Sequence, residues 1–129
     1  MYVDGASRGN PGEAGIGVLI TDTQGNELTR IAKYIGITTN NVAEYTALIE
    51  GLKSALTHGI TEVQVISDSE LLVRQVSGIY KVKQPHLQEL YQQVKSLTAQ
   101  FKKTAIKHVL REENKTADSL ANEAIDEQS

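Results

Sequence analysis

The chain has no cysteine and no tryptophan, and only one methionine and one phenylalanine among its 129 residues. Without cysteine it can form no disulfide, no thiolate zinc site and no cysteine nucleophile, a composition that fits a reducing compartment such as the cytoplasm. It also lacks any apolar run near the roughly 20 residues of a membrane span, and its first residues do not follow the basic-then-apolar pattern of a secretory signal. A basic surplus is missing too: 13 Lys and Arg against 16 Asp and Glu leave a net charge of −3. That balance speaks against a generic nucleic-acid binder held by a positive face. It leaves open a nuclease whose clustered acids are neutralised by bound cations. No repeat, linker or low-complexity segment interrupts residues 1–129, so a single domain is expected, and 40% apolar content suffices for a core.

The stretch that organises the rest is residues 2–11, YVDGASRGNP. Asp4 follows an apolar pair and precedes Gly5, Gly9 and the pair Pro11-Gly12, a strand running into a tight loop. Aspartate is depleted in strands, and a buried charge needs a partner. Asp4 is therefore either a turn residue displaced by one position or a metal ligand on rigid backbone. In the second case Gly5 leaves room for something large to approach.

Residues 15–22 and 27–37 are strand-like runs around a turn containing Gly25, which makes a hairpin and extends the first strand into a three-stranded meander. Thr38, Thr39, Asn40 and Asn41 supply capping residues for a helix. Its stripe is Tyr45, Leu48, Ile49, Leu52, Ala55 and Leu56, and His58-Gly59 closes it. A β-branched run, Glu62–Ser67, is the next strand, followed by a short helix over Glu70–Val76 that Gly78 stops. After Pro85, apolar positions from Leu87 to Phe101 mark a longer helix, residues 104–110 the last strand, and Ala117, Leu120, Ala121, Ala124 and Ile125 a terminal helix. The order β-β-β-α-β-α-α-β-α predicts an α/β fold: a mixed sheet, its later strands parallel to the first, with helices on its faces.

Most of the sixteen acids read as solvated surface, but four stand apart. Asp4 lies in a strand. Asp68 ends the apolar VQVIS run, where ligands gather in α/β sheets, although it equally suits a helix cap. Glu44, read as first-turn, gains from the helix macrodipole, yet it shares a row with Leu48, Gly51 and Ala55 and so points inward. Asp118 opens the last helix beside Ala117 and in line with Ala121 and Ile125. Four acids at one sheet edge would repel each other by several kcal/mol unless neutralised. An oxygen-only ligand set without Cys or a His cluster favours Mg²⁺ or Mn²⁺ over Zn²⁺, and a pair of such ions clamps phosphodiester hydrolysis.

Four segments then carry a resemblance: residues 4–12 (DGASRGNPG), 38–44 (TTNNVAE), 67–69 (SDS) and 114–118 (NKTAD). In order and spacing they resemble the type 1 ribonucleases H over nearly the whole chain. The resemblance implies the ribonuclease H-like fold, a five-stranded sheet in order 3-2-1-4-5 with helices on both faces. It implies endonucleolytic cleavage of the RNA strand of RNA/DNA hybrids to 5′-phosphate and 3′-hydroxyl ends with two Mg²⁺ or Mn²⁺ ions. Asp4, Glu44, Asp68 and Asp118 match the family's metal-binding acids: Asp4 bridging both ions, Asp118 on the side that activates water, Glu44 on the leaving-oxygen side near the 2′-hydroxyl. Asn10, Asn40 and Asn41 match minor-groove contacts and Thr39 a phosphate contact on the DNA strand, and Gly5, Ser7, Glu70 and Arg111 complete the expected substrate-binding set.

Three departures shape what is expected. The basic helix-loop of many relatives is replaced by a short segment, residues 78–85, with Lys81 and Lys83 its only cations. Weak substrate affinity with a shallow salt dependence follows. Glu70 stands where many relatives carry Gln, and His108 is read as a strand residue, with Arg111 reaching the site in place of a loop histidine. The expected protein is a monomer that binds RNA/DNA hybrid and no membrane, with double-stranded RNA and RNA–DNA junctions open as substrates. The alternative is a ribonuclease H-like binding module with little or no hydrolysis.

Overall fold

Alternating apolar residues build the first part of the chain into a meander of three antiparallel strands, β1 (Tyr2–Gly9), β2 (Gly12–Thr21) and β3 (Glu27–Thr38). The computed structural model describes residues 1–128. The stretch expected to leave the strand soon after Asp4 stays in it as far as Gly9, because Ala6, Ser7 and Arg8 continue the ladder opposite Gly15, Ala14 and Glu13. Helix α1 (Asn40–Thr57) follows, then β4 (Glu62–Ser67), α2 (Glu70–Val76), α3 (Pro85–Thr98), β5 (Lys103–His108), one 3₁₀ turn (Arg111–Glu113) and α4 (Lys115–Gln128). The sheet order is β3-β2-β1-β4-β5, with β4 parallel to both β1 and β5.

Two boundaries differ from the sequence reading. Helix α3 ends at Thr98, and Phe101 packs into the core from the turn beyond it, its N–H on Thr98 O at 3.1 Å. Strand β5 stops at His108; Val109 makes one further bond to Ser67 O at 2.9 Å before the chain turns up at the exposed Leu110. Apolar content at residues 104–110 could not separate strand from exit.

Val3, Ile16, Val18 and Val65 of the sheet pack with Leu48 and Leu52 of α1 and Val94 of α3 into the main core. The opposite face is covered by α4, and there the sheet approaches so closely that a Cβ at Gly17 would lie 2.0 Å from Ala117 O. No helix among the described residues is long and apolar enough to cross a membrane.

Candidate active site

Strands β1 and β4 pair through only two positions, Tyr2↔Ile66 and Val3↔Ser67. The next residue on each is an acid, Asp4 and Asp68, so the two carboxylates stand where the parallel strands part. That is the crevice at the carboxyl ends of the strands, where α/β sheets collect ligands.

Glu44 reaches the same place from α1. Gly5 makes this possible: a Cβ there would lie 2.3 Å from the Ala43 carbonyl carbon, so only glycine lets α1 lie this close to β1. The Gly5 N–H donates to the Glu44 carboxylate. Glu44 is the fifth residue of α1 and lies outside its first turn, so the macrodipole account expected from sequence loses its force. Burial in the row with Leu48, Gly51 and Ala55 is what places it. Asp118 comes from the first turn of α4, and its side chain shares a hydrogen bond with Asp4.

One carboxylate oxygen from each of Asp4, Glu44 and Asp68 lies within 4.8 Å of the other two. Asp118 stands outside that trio but lines the same cavity, of about 440 Å³. Burial, then the charges of Glu44 and Asp68 and the contact with Asp118, push the Asp4 carboxyl up to about 9. Burial first, then Asp68, pushes Glu44 up to about 8 against the opposing Gly5 N–H. Glu44 Oε2 is buried with no hydrogen-bond partner. An unpartnered acceptor among crowded carboxylates, with oxygen as the sole donor atom, fits a hard divalent cation.

Of the expected substrate contacts, Gly5, Ser7, Asn40 and Arg111 line the cavity; Asn10, Thr39, Asn41 and Glu70 lie outside its lining. The single Ser7 O–H is shared between Thr38 O, at 2.9 Å, and Gly9 O, tying the end of β1 to the entry of α1. The Thr39 hydroxyl caps α1, accepting from Val42 N at 3.3 Å, and Asn10 Oδ1 accepts from Asn40 N at 3.0 Å. Asn41 is half-buried at the helix start. The Glu70 carboxylate is paired with Arg74 at 2.8 Å on the outer side of α2. Arg111 donates to Asp118 Oδ1 at 3.4 Å, whereas His108 closes β5 away from the lining.

The cavity also contains Ala6, Arg8, Ser69 and Asn122, which sequence reasoning passed over. For Asn122 a signal existed: it lies four residues after Asp118 on one helix, the spacing that stacks side chains.

A family model described as reverse transcriptase-like matches residues 2–124. The chain belongs to this family of ribonuclease H-like domains. The bifunctional protein Rv2228c of Mycobacterium tuberculosis is 48% identical over 127 residues, which are 98% of this chain and 35% of that protein. This ribonuclease H-like domain thus spans about a third of the length of the first curated relatives it matches, at 35% coverage. Among solved structures, RNase H1 from the halophilic archaeon Halobacterium salinarum NRC-1 superposes with a TM-score of 0.95 at 39% identity, covering 98% of this chain and 96% of that one. LC11-RNase H1, solved in complex with an RNA/DNA hybrid, gives 0.94 at 48% identity, again covering 98% and 96%.

Proposed function

We propose that this domain is a metal-dependent endonuclease that hydrolyses the RNA strand of RNA/DNA hybrids to 5′-phosphate and 3′-hydroxyl ends. The observation that carries the reading is the convergence of Asp4, Glu44 and Asp68 within 4.8 Å, with Asp118 in the same cavity. The similarity to LC11-RNase H1, solved with a hybrid, supports the choice of substrate.

Asp4, Glu44, Asp68 and Asp118 are the residues that would hold two Mg²⁺ or Mn²⁺ ions. Such a pair, when bound, lowers the pKa of attacking water and offsets charge on the leaving oxygen. The chain's own groups do the rest. Asp4 lies between Glu44 and Asp118 and gives up its proton as the ligands assemble. Glu44, fixed by the Gly5 N–H and lining the cavity, is the acid that would sense a 2′-hydroxyl. Ser7 and Asn40 in the wall, with Asn10 and Asn41 beside it, offer neutral groups to a shallow minor groove, and Thr39 offers its hydroxyl to a phosphate of the DNA strand. Arg111 stands at the rim by Asp118. The protein is read as a cytoplasmic monomer.

Incubation of a labelled hybrid with the protein in Mg²⁺, and then in Mn²⁺, tests this. The RNA strand is cut to 3′-hydroxyl ends, and Asp68→Asn abolishes cutting. Hybrid that is bound but intact under both metals sinks the nuclease reading and leaves a binding module. Parallel reactions with double-stranded RNA and junction substrates fix the substrate range.

A further inference from the structure

We propose that Asn122 is a positioning residue for Asp118 and that Arg8 locks it in that role, an inference that rests on the metal-dependent activity proposed above. Asn122 sits one turn after Asp118 on α4, and its Nδ2 donates to Asp118 Oδ1 at 3.3 Å and to the Asp118 main-chain oxygen at 3.0 Å. An amide can present either its nitrogen or its oxygen to a neighbour, and only the nitrogen suits a carboxylate.

Arg8 reinforces the orientation that the Asp118 main-chain oxygen already demands. Its Nη2 lies 3.5 Å from Asn122 Oδ1 and 3.4 Å from Asn122 O. A guanidinium has donors only, so it requires the amide oxygen on its side and turns Nδ2 toward Asp118. Asp126, one turn further along α4, anchors Arg8 at 2.5 Å. Arg8 follows Asp4 by four residues on β1, so the chain Asp126–Arg8–Asn122–Asp118 ties the strand bearing one acid to the helix bearing another.

Asp118 needs such support. Its side chain is 26% exposed, and the other side-chain donor on it, Arg111, is 75% exposed and 3.4 Å away on the same Oδ1. Partners that orient a ligand carboxylate typically change metal affinity or activity by about 10–100-fold when removed. Because Arg8 also lines the cavity, the competing role for it is a direct contact to a substrate phosphate.

A double-mutant cycle separates the two. Mn²⁺ binding by titration calorimetry, and kcat and KM on hybrid, are measured for the wild type, Asn122→Ala, Arg8→Ala and the double variant. Asn122→Ala is expected to weaken Mn²⁺ binding and lower kcat, each about tenfold, with KM nearly unchanged and folding intact because alanine suits a helix interior. Arg8→Ala gives a smaller loss of the same kind and adds nothing in the Asn122→Ala background. Wild-type Mn²⁺ affinity and kcat in Asn122→Ala would overturn the proposal. So would an Arg8→Ala effect that adds to that of Asn122→Ala and appears in KM with a reduced salt slope. A wild type that binds Mn²⁺ but cuts no substrate defeats the activity reading alone, and the calorimetric cycle still decides this one. Absence of any Mn²⁺ binding overturns both.

Discussion

On one side of the acid cavity, Asp4 and Glu44 are 4% and 5% exposed, placed by strand pairing and by the Gly5 N–H. On the other, Asp118 keeps 26% of its side chain in solvent and is held by the side chains of Arg111 and Asn122. The two acids fixed by backbone cannot move apart, so their mutual repulsion and their burial appear as raised pKa values. The rim acid has room to swing and depends on donors that a mutation can remove. One half of the site is stiff and electrostatically loaded, the other soft and steered.

The largest effect that tests this contrast comes from Asp4→Asn. Losing the central carboxylate should reduce hybrid cleavage by at least about a thousandfold, since several kcal/mol of charge stabilisation depend on it. The same change removes a carboxyl that burial pushes up to about 9. At pH 8 the fold must hold there a proton that the unfolded chain gives up, so in EDTA at pH 8 the variant should melt above the wild type. A lower melting temperature would mean the acids do not strain the fold.

Next comes the pH dependence of the metal-free protein. Asp4 and Glu44 titrate at about 9 and about 8 in the fold, against ordinary values of 3.8 and 4.5. Between the ordinary and folded values the native state holds more protons than the unfolded chain, so stability falls as pH rises through that window. In EDTA the melting temperature at pH 5 should therefore exceed that at pH 8. Saturating Mg²⁺ should raise it by several degrees at pH 8, as expected when a ligand binds only the folded state, and hardly at all at pH 5, where protons occupy the acids. An equal Mg²⁺ shift at both values contradicts the stiff half of the comparison.

The smallest effect belongs to the rim. Arg111→Ala should slow cleavage only a fewfold, because an exposed ion pair is worth little and Asn122 still holds Asp118. A loss as large as that from Asp4→Asn would make Arg111 part of the chemistry itself.

The sequence showed the elements wherever local chemistry and tertiary placement agree. Glu62–Ser67 is β-branched and apolar, and it is the strand. Glu70–Val76 lies between Ser69, which caps it, and Gly78, which stops it. Thr39, in a run of four capping residues, is the N-cap of α1. Legibility failed where a residue's role depends on something distant in the chain. Phe101 continues the apolar spacing of α3 but fills the core from the following turn. The small residues after Asp4 read as a loop because their ladder partners lie on β2. Arg8 looks like an ordinary surface cation until α4 brings Asn122 and Asp126 beside it. The four acids were visible because their types conflict with their local settings, whereas the side chains that steer Asp118 conflict with nothing.

The meander and the β4–β5 pair meet along a short seam, Tyr2↔Ile66 and Val3↔Ser67, with Met1 bonded to Gln64 and Ile66 at its end. Such a short join makes α1 the clasp of the molecule, since it lies on β1 and β2 while also packing against α3 on the far side. Loosening that helix would unfasten the sheet at the spot where the reactive groups gather. Native-state exchange of the Val3 and Ile66 amides is therefore a direct gauge of whether the domain is held ready to act.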